Sequence, residues 1–352
     1  MKAIIVEKQG APAKVSSDQE MPEPGEDQIL VKSIYTAVNP VDAFMADWGI
    51  LVEEWPFVPG SDAAGVVVKA GKDAVSPLGA LFKEGDEVFG CTRLGIKGYS
   101  PWQEYFLMDV AVTIPKPGNI TLAQASTIGV GVLTAFFGVF DGLRIPLVDA
   151  ESLPPAKDEW VLVFGGASAV GKFAVQTLKA CGYKVATTCS AKSFDLLKSL
   201  GADATVDYKK SEADIIGEVK SVTGGKLDLA FDAVSVNNGL ASAIFKSLAP
   251  TSPATARLYT TTNDWEPLPD ASLGFTSNPI LLGPIGRPGA VEPNKRLNEF
   301  IPIAYKLLES GKLKAGEYSV EGEGVEGILK AWDVQKSGKM GSTKVVVKVA
   351  DV

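Results

Sequence analysis

The stretch Trp160-Val-Leu-Val-Phe-Gly165-Gly166-Ala-Ser168-Ala-Val-Gly171-Lys172-Phe173 decides the fold of this chain. An apolar, strand-like run ends in a loop of small residues, and an amphipathic helix follows. Val170, Phe173, Ala174, Thr177, Leu178 and Cys181 recur at i, i+3, i+4, i+7, i+8 and i+11, one face of a 3.6-residue period. Gly182 stands where a left-handed C-terminal cap belongs. Such a turn directs open backbone N–H groups and the positive end of the helix dipole at one point, a seat for a pyrophosphate. The pattern Gly166-x-Ser168-x-x-Gly171 departs from the dinucleotide fingerprint at its middle glycine. Taken alone it reads equally as a tight strand-to-helix turn, so the surrounding chain has to arbitrate.

Downstream, strands and helices alternate. The pattern predicts strands over 161–164, 184–188, 204–206, 227–231 and 257–260, with helices over 193–200, 214–222 and 237–248 between them. That is a doubly wound parallel sheet built by right-handed crossovers. Residues 262–292, rich in Pro, Gly and Asn, read as irregular and as a lining for a substrate cleft. Residues 1–125 differ: runs over 3–6, 29–37, 65–69, 87–89 and 103–108 are broken by Gly, Pro and Asp at uneven spacing. They predict an all-β, distorted barrel, to which the strand-like tail 343–349 returns. The expected division is 1–125 with 289–352, and 126–288 for the nucleotide-binding part.

Composition narrows the chemistry. The chain has 352 residues, no histidine and three cysteines, Cys91, Cys181 and Cys189. A four-cysteine zinc site is impossible, and the Cys/His shell of a catalytic zinc lacks half its ligand types. Histidine acid–base and Ser-His-Asp chemistry are excluded. What remains is a cofactor, hydroxyls, carboxylates and lysines. A net charge of −8 with only five arginines argues against nucleic acid and anionic membranes as partners. The N-terminus reads as a strand rather than a leader, which leads us to expect a cytoplasmic protein without a membrane span.

The motifs Asn39-Pro-Val-Asp42, Pro59-Gly-Ser-Asp-Ala-Ala-Gly65, Glu84-Gly-Asp86-x-Val88-x-Gly90 and Thr134-Ala135, in this order with the glycine loop, carry a resemblance. Along essentially its whole length the chain resembles the medium-chain dehydrogenase/reductase superfamily. Cys189-Ser190-x-x-x-Phe194-Asp195-Leu196, Gly201-Ala202 and Gly286-Arg287-Pro288-Gly289 make it similar to the zinc-free fungal trans-acting enoyl reductases of polyketide synthases, the lovastatin enoyl reductase among them. Zinc-free quinone and aldehyde reductases share much of the pattern. The resemblance implies an α/β Rossmann domain inserted into a GroES-like distorted barrel. It also locates the missing metal: zinc-dependent members carry a histidine where this chain has Ser61, and a cysteine ligand in the stretch Ala37-Val38-Asn39. Without a Lewis acid, hydride delivery to a conjugated acceptor is favoured, because charge disperses over the π-system.

Individual residues refine the cofactor. NAD-selective folds place Asp or Glu after the second strand to accept from the ribose 2′-hydroxyl. Here Thr188-Cys189-Ser190-Ala191-Lys192-Ser193 contains no acid before Asp195. Ser190, Lys192 and Tyr208 would instead meet a 2′-phosphate, pointing to NADPH; the competing reading is a solvated loop. The expected cofactor contacts are Gly166, Ala167, Ser168, Ala169, Val170, Gly171, Ser190, Ala191, Lys192, Ser193 and Tyr208. By resemblance they extend to Val41, Asp42, Ala43 and Phe44 beside the nicotinamide, and to Thr343 and Lys344. Ser168 either bonds a phosphate or fills space. Thr134 aligns with a threonine near the nicotinamide and is the candidate catalytic residue; equally, a helical threonine satisfies its hydroxyl one turn back. Phe44 stands where many relatives have Lys or Tyr, and it can neither donate a proton nor hold an oxyanion. Asp62 and Glu53-Glu54 read as ordinary polar residues, and Arg287 as a surface-loop residue, with contact to an acidic or phosphate-bearing substrate as the competing reading.

These readings predict an NADPH-dependent reductase of an activated double bond in an enoyl thioester, enone or quinone. An aldehyde reductase and a non-catalytic NADPH-binding accessory protein stay open. The expected partner is a small hydrophobic substrate, free or held as a thioester on a carrier, with the chain a monomer or homodimer.

Overall fold

The computed structural model describes residues 1–352 except Asp264 and Asp270, which fall inside the 262–292 stretch. The chain divides into two units. The first comprises Met1–Val130, Gly283–Glu309 and Ala315–Val352, the second Gly131–Leu282 and Ser310–Lys314.

In the first unit β1 (Ala3–Ile5) and β2 (Lys14–Ser16) form an antiparallel pair. The main barrel strands are β3 (Gln28–Ala37), β4 (Asp62–Ala70), β5 (Glu87–Cys91), β6 (Tyr105–Asp109) and β7 (Thr113–Pro115). Strand β3 is the hub, antiparallel to both β4 and β6. Strands β3 and β4 meet so closely that a Cβ on Gly65 would lie 2.1 Å from the Lys32 carbonyl oxygen. Ile29, Val31, Ala63, Val67, Val88, Phe106 and Met108 fill the interior. The all-β expectation for residues 1–125 needs correction at two helices, the first of which, α1 (Pro40–Trp48), follows β3. Its start was legible in Asn39-Pro40-x-Asp42. Asn39 is extended, Pro40 takes the first helical turn, and the Asp42 carboxylate accepts from the Asn39 N–H at 2.7 Å. Gly49, at φ 69°, ends the helix in the left-handed conformation that glycine tolerates best. Helix α2 (Leu122–Ala125) follows in this unit, and α3 (Gly129–Phe136) starts in it and continues into the second.

The second unit is the expected parallel sheet. Its strands are β8 (Trp160–Phe164), β9 (Lys184–Cys189), β10 (Ala204–Asp207), β11 (Leu229–Asp232), β12 (Leu258–Thr261) and β13 (Thr276–Pro279). The connecting helices are α4 (Ala169–Ala180), α5 (Phe194–Ser199), α6 (Glu212–Thr223) and α7 (Asn238–Ser247). All strands pair in parallel in the order β10-β9-β8-β11-β12-β13. The order reverses beside β8, so the C-terminal ends of β8 and its neighbours form the crevice where ligands of such sheets bind. Strand β13 lies within the stretch read as irregular. Its sequence, Thr-Ser-Asn-Pro, has no apolar run, because an edge strand is covered on one side only and tolerates Pro279. Residues 310–314 also join this unit: the Lys314 N–H donates to Gln176 Oε1 at 2.8 Å, which no local pattern announces.

The chain then returns to the first unit through α8 (Val291–Glu309), β14 (Tyr318–Glu323), α9 (Gly324–Lys336) and β15 (Lys344–Lys348). Strand β15 pairs antiparallel with β3, completing a seven-stranded sheet.

Candidate functional site

The glycine loop sits at the C-terminal end of β8, and each small residue there has its own physical reason. A Cβ on Gly166 would lie 2.0 Å from Thr187 Oγ1 on β9, and one on Gly171 2.2 Å from the Gly165 carbonyl oxygen. These glycines allow helix and sheet to close on each other. Ser168 is different. Its backbone is extended (φ −68°, ψ 167°), so the position does not require glycine. It is the N-cap of α4, and its Oγ accepts from the Gly171 N–H at 2.9 Å. The hydroxyl thereby satisfies one of the orphan donors of the first turn. The N–H groups of Ala169 and Val170 precede any intrahelical acceptor and remain directed at the loop. Thr188 ties the loop to β9, accepting from the Gly165 N–H through its hydroxyl and from the Gly166 N–H through its carbonyl, both at 3.0 Å.

The parallel register brings the next group together. Cys189 pairs with Asp207 at the ends of β9 and β10, so Ser190 and Tyr208 leave the sheet side by side. The Tyr208 N–H donates to the Cys189 carbonyl at 3.2 Å. Lys192 lies in a 3-10 turn over Ala191–Ser193, exposed like Ala191, while Ser193 is buried. Asp195 is inside the first turn of α5, and Asp207 Oδ1 accepts from the Lys209 N–H at 3.0 Å. Loop, Ser190, Lys192 and Tyr208 therefore share one end of three adjacent strands.

The first unit holds a second constellation, which sequence reasoning largely missed. Asp42, Asp62 and Ser61 are wholly buried, and Asn39 nearly so. Ser61 Oγ donates to Asp42 Oδ1 at 2.9 Å, and Asn39 Nδ2 donates to Ser61 Oγ at 3.1 Å and to Asp62 Oδ2 at 2.9 Å. The Val130 N–H, in the first turn of α3, donates to Asp62 Oδ1 at 2.7 Å. The Lys344 ammonium lies 3.0 Å from Asp62 Oδ2 and donates to Asn39 Oδ1. Asp62, read from sequence as an ordinary polar residue, is the hub of this network. Burial pushes the Asp42 carboxyl up to about 7, against the opposing hydrogen bonds from Asn39 and Ser61 and the Lys344 charge. Burial likewise drives the thiol of Cys91 well up. Lys344 and Asn39 are 305 residues apart, so no spacing rule could have joined them.

This network bears on zinc. Ser61 stands where the resemblance puts a histidine ligand, and it accepts a hydrogen bond from Asn39, within the 37–39 stretch to which the resemblance assigns a cysteine ligand. Among the described residues, no group of three or more His, Cys, Asp and Glu side chains is placed to hold a metal ion. The donor set does not fit the zinc of metal-dependent relatives.

The remaining expected site residues are dispersed through their elements. Val41, Ala43 and Phe44 are half-buried on α1, and Phe44 stacks on the exposed Trp48 with centroids 4.9 Å apart and planes at 12°. Thr134 is buried on α3, one turn after Val130, and Thr343 is half-buried just before β15. Arg287 is a clamp: it pairs with Glu53 and donates to the Leu94 carbonyl at 3.1 Å, bracing the turn at Leu51, whose φ is 64°.

A glycine loop on a doubly wound sheet, joined to an antiparallel barrel, defines a dinucleotide-dependent dehydrogenase or reductase. Residues 25–118 match the alcohol dehydrogenase GroES-like domain, and residues 169–251 match the zinc-binding dehydrogenase family. The chain is 30% identical to the trans-enoyl reductase caaB of Aspergillus niger, over 99% of this chain and 96% of that one. It superposes on an alcohol dehydrogenase superfamily protein from Novosphingobium aromaticivorans with TM-score 0.80 at 23% identity, covering 99% of this chain and 100% of that one. A mycobacterial protein complexed with NADPH superposes with TM-score 0.73 at 24% identity, covering 99% of each chain. The chain belongs to the medium-chain dehydrogenase/reductase superfamily and is an oxidoreductase of that family. Among the described residues, no helix is long and apolar enough to cross a membrane.

Proposed function

We propose that this protein is a metal-independent, NADPH-dependent reductase of an activated carbon–carbon double bond in an enoyl thioester, enone or quinone. The observation that carries this reading is the Ser61–Asn39 pair, which replaces metal-ligand chemistry with a closed hydrogen-bond network. The reading is supported by the relative named a trans-enoyl reductase and by the fold shared with a protein complexed with NADPH.

The 166–171 loop would hold the cofactor's pyrophosphate, on the N–H groups of Ala169 and Val170 at the positive end of α4. Ser190, Lys192 and Tyr208 would receive the 2′-phosphate. The resemblance also assigns cofactor contacts to Val41–Phe44 and to the Thr343–Lys344 segment. Bound there, a reduced nicotinamide supplies hydride. The chain's own task is orientation, exclusion of water and support of the charge that develops on the acceptor oxygen. Phe44 contributes shape alone. The Thr134 hydroxyl is the assigned donor to the developing oxyanion, and solvent supplies the final proton.

NADPH oxidation measured against enones, quinones, aldehydes and enoyl thioesters, with and without a chelator, tests the reading. Turnover of conjugated acceptors that is indifferent to chelation is expected. Turnover of aldehydes only, stoichiometric zinc by elemental analysis, or binding without turnover would replace it.

A further inference from the structure

The buried network in the first unit has an unusual charge arrangement. Two carboxylates, Asp42 and Asp62, and one ammonium, Lys344, share a space that water hardly reaches, the Lys344 side chain being 9% exposed and that of Asp62 0%. Asn39 sits at the centre with both ends of its amide used: Oδ1 accepts from Lys344, and Nδ2 donates to Ser61 and Asp62. From there the network divides. One branch runs through Ser61 and the Asn39 N–H to Asp42, which lies in the first turn of α1. The other runs through Asp62 to the Val130 N–H in the first turn of α3. Gly129, just before Val130, meets β5 so closely that a Cβ would lie 2.3 Å from the Gly90 carbonyl. The start of α3 is therefore both packed and hydrogen-bonded into place. These are the helices that carry Val41–Phe44 and Thr134.

We infer that Lys344 is a positioning residue. Its ammonium is a tethered cation that holds Asp62 and Asn39 in the geometry on which the starts of α1 and α3 depend. This inference rests on the reductase reading for its kinetic consequence, but not for its structural one. The physical argument is that Asp62 accepts from two neutral donors, the Asn39 amide and the Val130 N–H, and pairs with a single cation, Lys344. Without the cation, a buried anion is left to two neutral donors, and the network must rearrange or take up a proton. A shift of about 1 Å in groups around a reacting centre is enough to cost roughly 100-fold in rate. On this assignment the lysine side chain acts inward and does not touch the cofactor.

The test uses the full-length protein and the truncation Lys344→Ala, which removes three methylenes and the ammonium. Propylammonium matches the removed atoms. In Lys344→Ala, turnover is expected to fall by about 100-fold with little change in KM for NADPH. Propylammonium at constant ionic strength should restore it saturably and raise the melting temperature, whereas tetramethylammonium, which has no N–H, should do neither. Unchanged turnover, a raised KM for NADPH with unchanged kcat, or a folded variant that ignores propylammonium would each overturn the assignment. If Lys344→Ala does not fold, the charge-free pair Lys344→Met/Asp62→Asn decides: it should fold and show low kcat unresponsive to amine, and wild-type turnover in it refutes the role. If the wild-type protein reduces no acceptor, the reductase reading has failed. The amine-dependent rise in melting temperature then judges the seat by itself, and its absence refutes the tethered cation.

Discussion

Ser168 gives the sharpest test of the glycine loop. The structure makes it the N-cap of α4, with extended backbone angles and its Oγ 2.9 Å from the Gly171 nitrogen. Replacing a serine cap by alanine costs ~1 kcal/mol, while glycine at the same place costs only a few tenths. For a unit of this size ~1 kcal/mol lowers the melting temperature by roughly 2–4 °C. Ser168→Ala is therefore expected to melt a few degrees below wild type, and Ser168→Gly and Ser168→Thr much closer to it. Affinity for NADPH, followed by fluorescence titration, should survive in Ser168→Gly, because removing Oγ releases the Gly171 N–H as one more donor at the helix start. Thermal melts and titrations on the same four proteins decide the matter. Equal melting temperatures for the alanine and wild-type proteins would refute the cap. A loss of about tenfold in NADPH affinity in Ser168→Ala and Ser168→Gly, with Ser168→Thr spared, would show instead that the hydroxyl meets the phosphate directly.

Three further outcomes are expected. Lys192→Ala should weaken NADPH by roughly tenfold and leave NADH unchanged, since one charge-assisted hydrogen bond is worth ~1.5–3 kcal/mol and this lysine is exposed; equal losses for both cofactors would contradict the 2′-phosphate assignment. Asp42 has a folded-state pKa of about 7 against an ordinary 3.8, so its protonation stabilises the fold at low pH and that contribution is lost as pH rises through 7. Between pH 5 and 8 wild type should therefore lose ~3 kcal/mol relative to Asp42→Asn, and a stability difference that is flat with pH, measured by denaturant titration, would refute the burial argument. Thr134→Val should lower kcat by an amount near the ~3 kcal/mol attributed to one oxyanion donor, with unchanged kcat removing the hydroxyl from the mechanism.

What the amino-acid order determined by itself is local and periodic. The βα alternation from Trp160 onward, the face of α4, its end at Gly182, and the turn away from Asp or Glu after β9 are set by neighbours within a few residues. The same is true of the exclusion of histidine chemistry. Even the start of α1 was written in Asn39-Pro40-x-Asp42, although the β-rich surroundings hid it. Tertiary structure alone decided the rest. Strand β13 exists because β12 offers a free edge, not because Thr-Ser-Asn-Pro is strand-like. Ser168 is a cap because the Gly171 N–H lies within its reach. Asp62 looks like any surface acid until β4, α3 and β15 bury it between Asn39, Val130 and Lys344. A buried charge is tolerated only where its partners converge, and here those partners come from opposite ends of the chain, beyond the range of any periodicity.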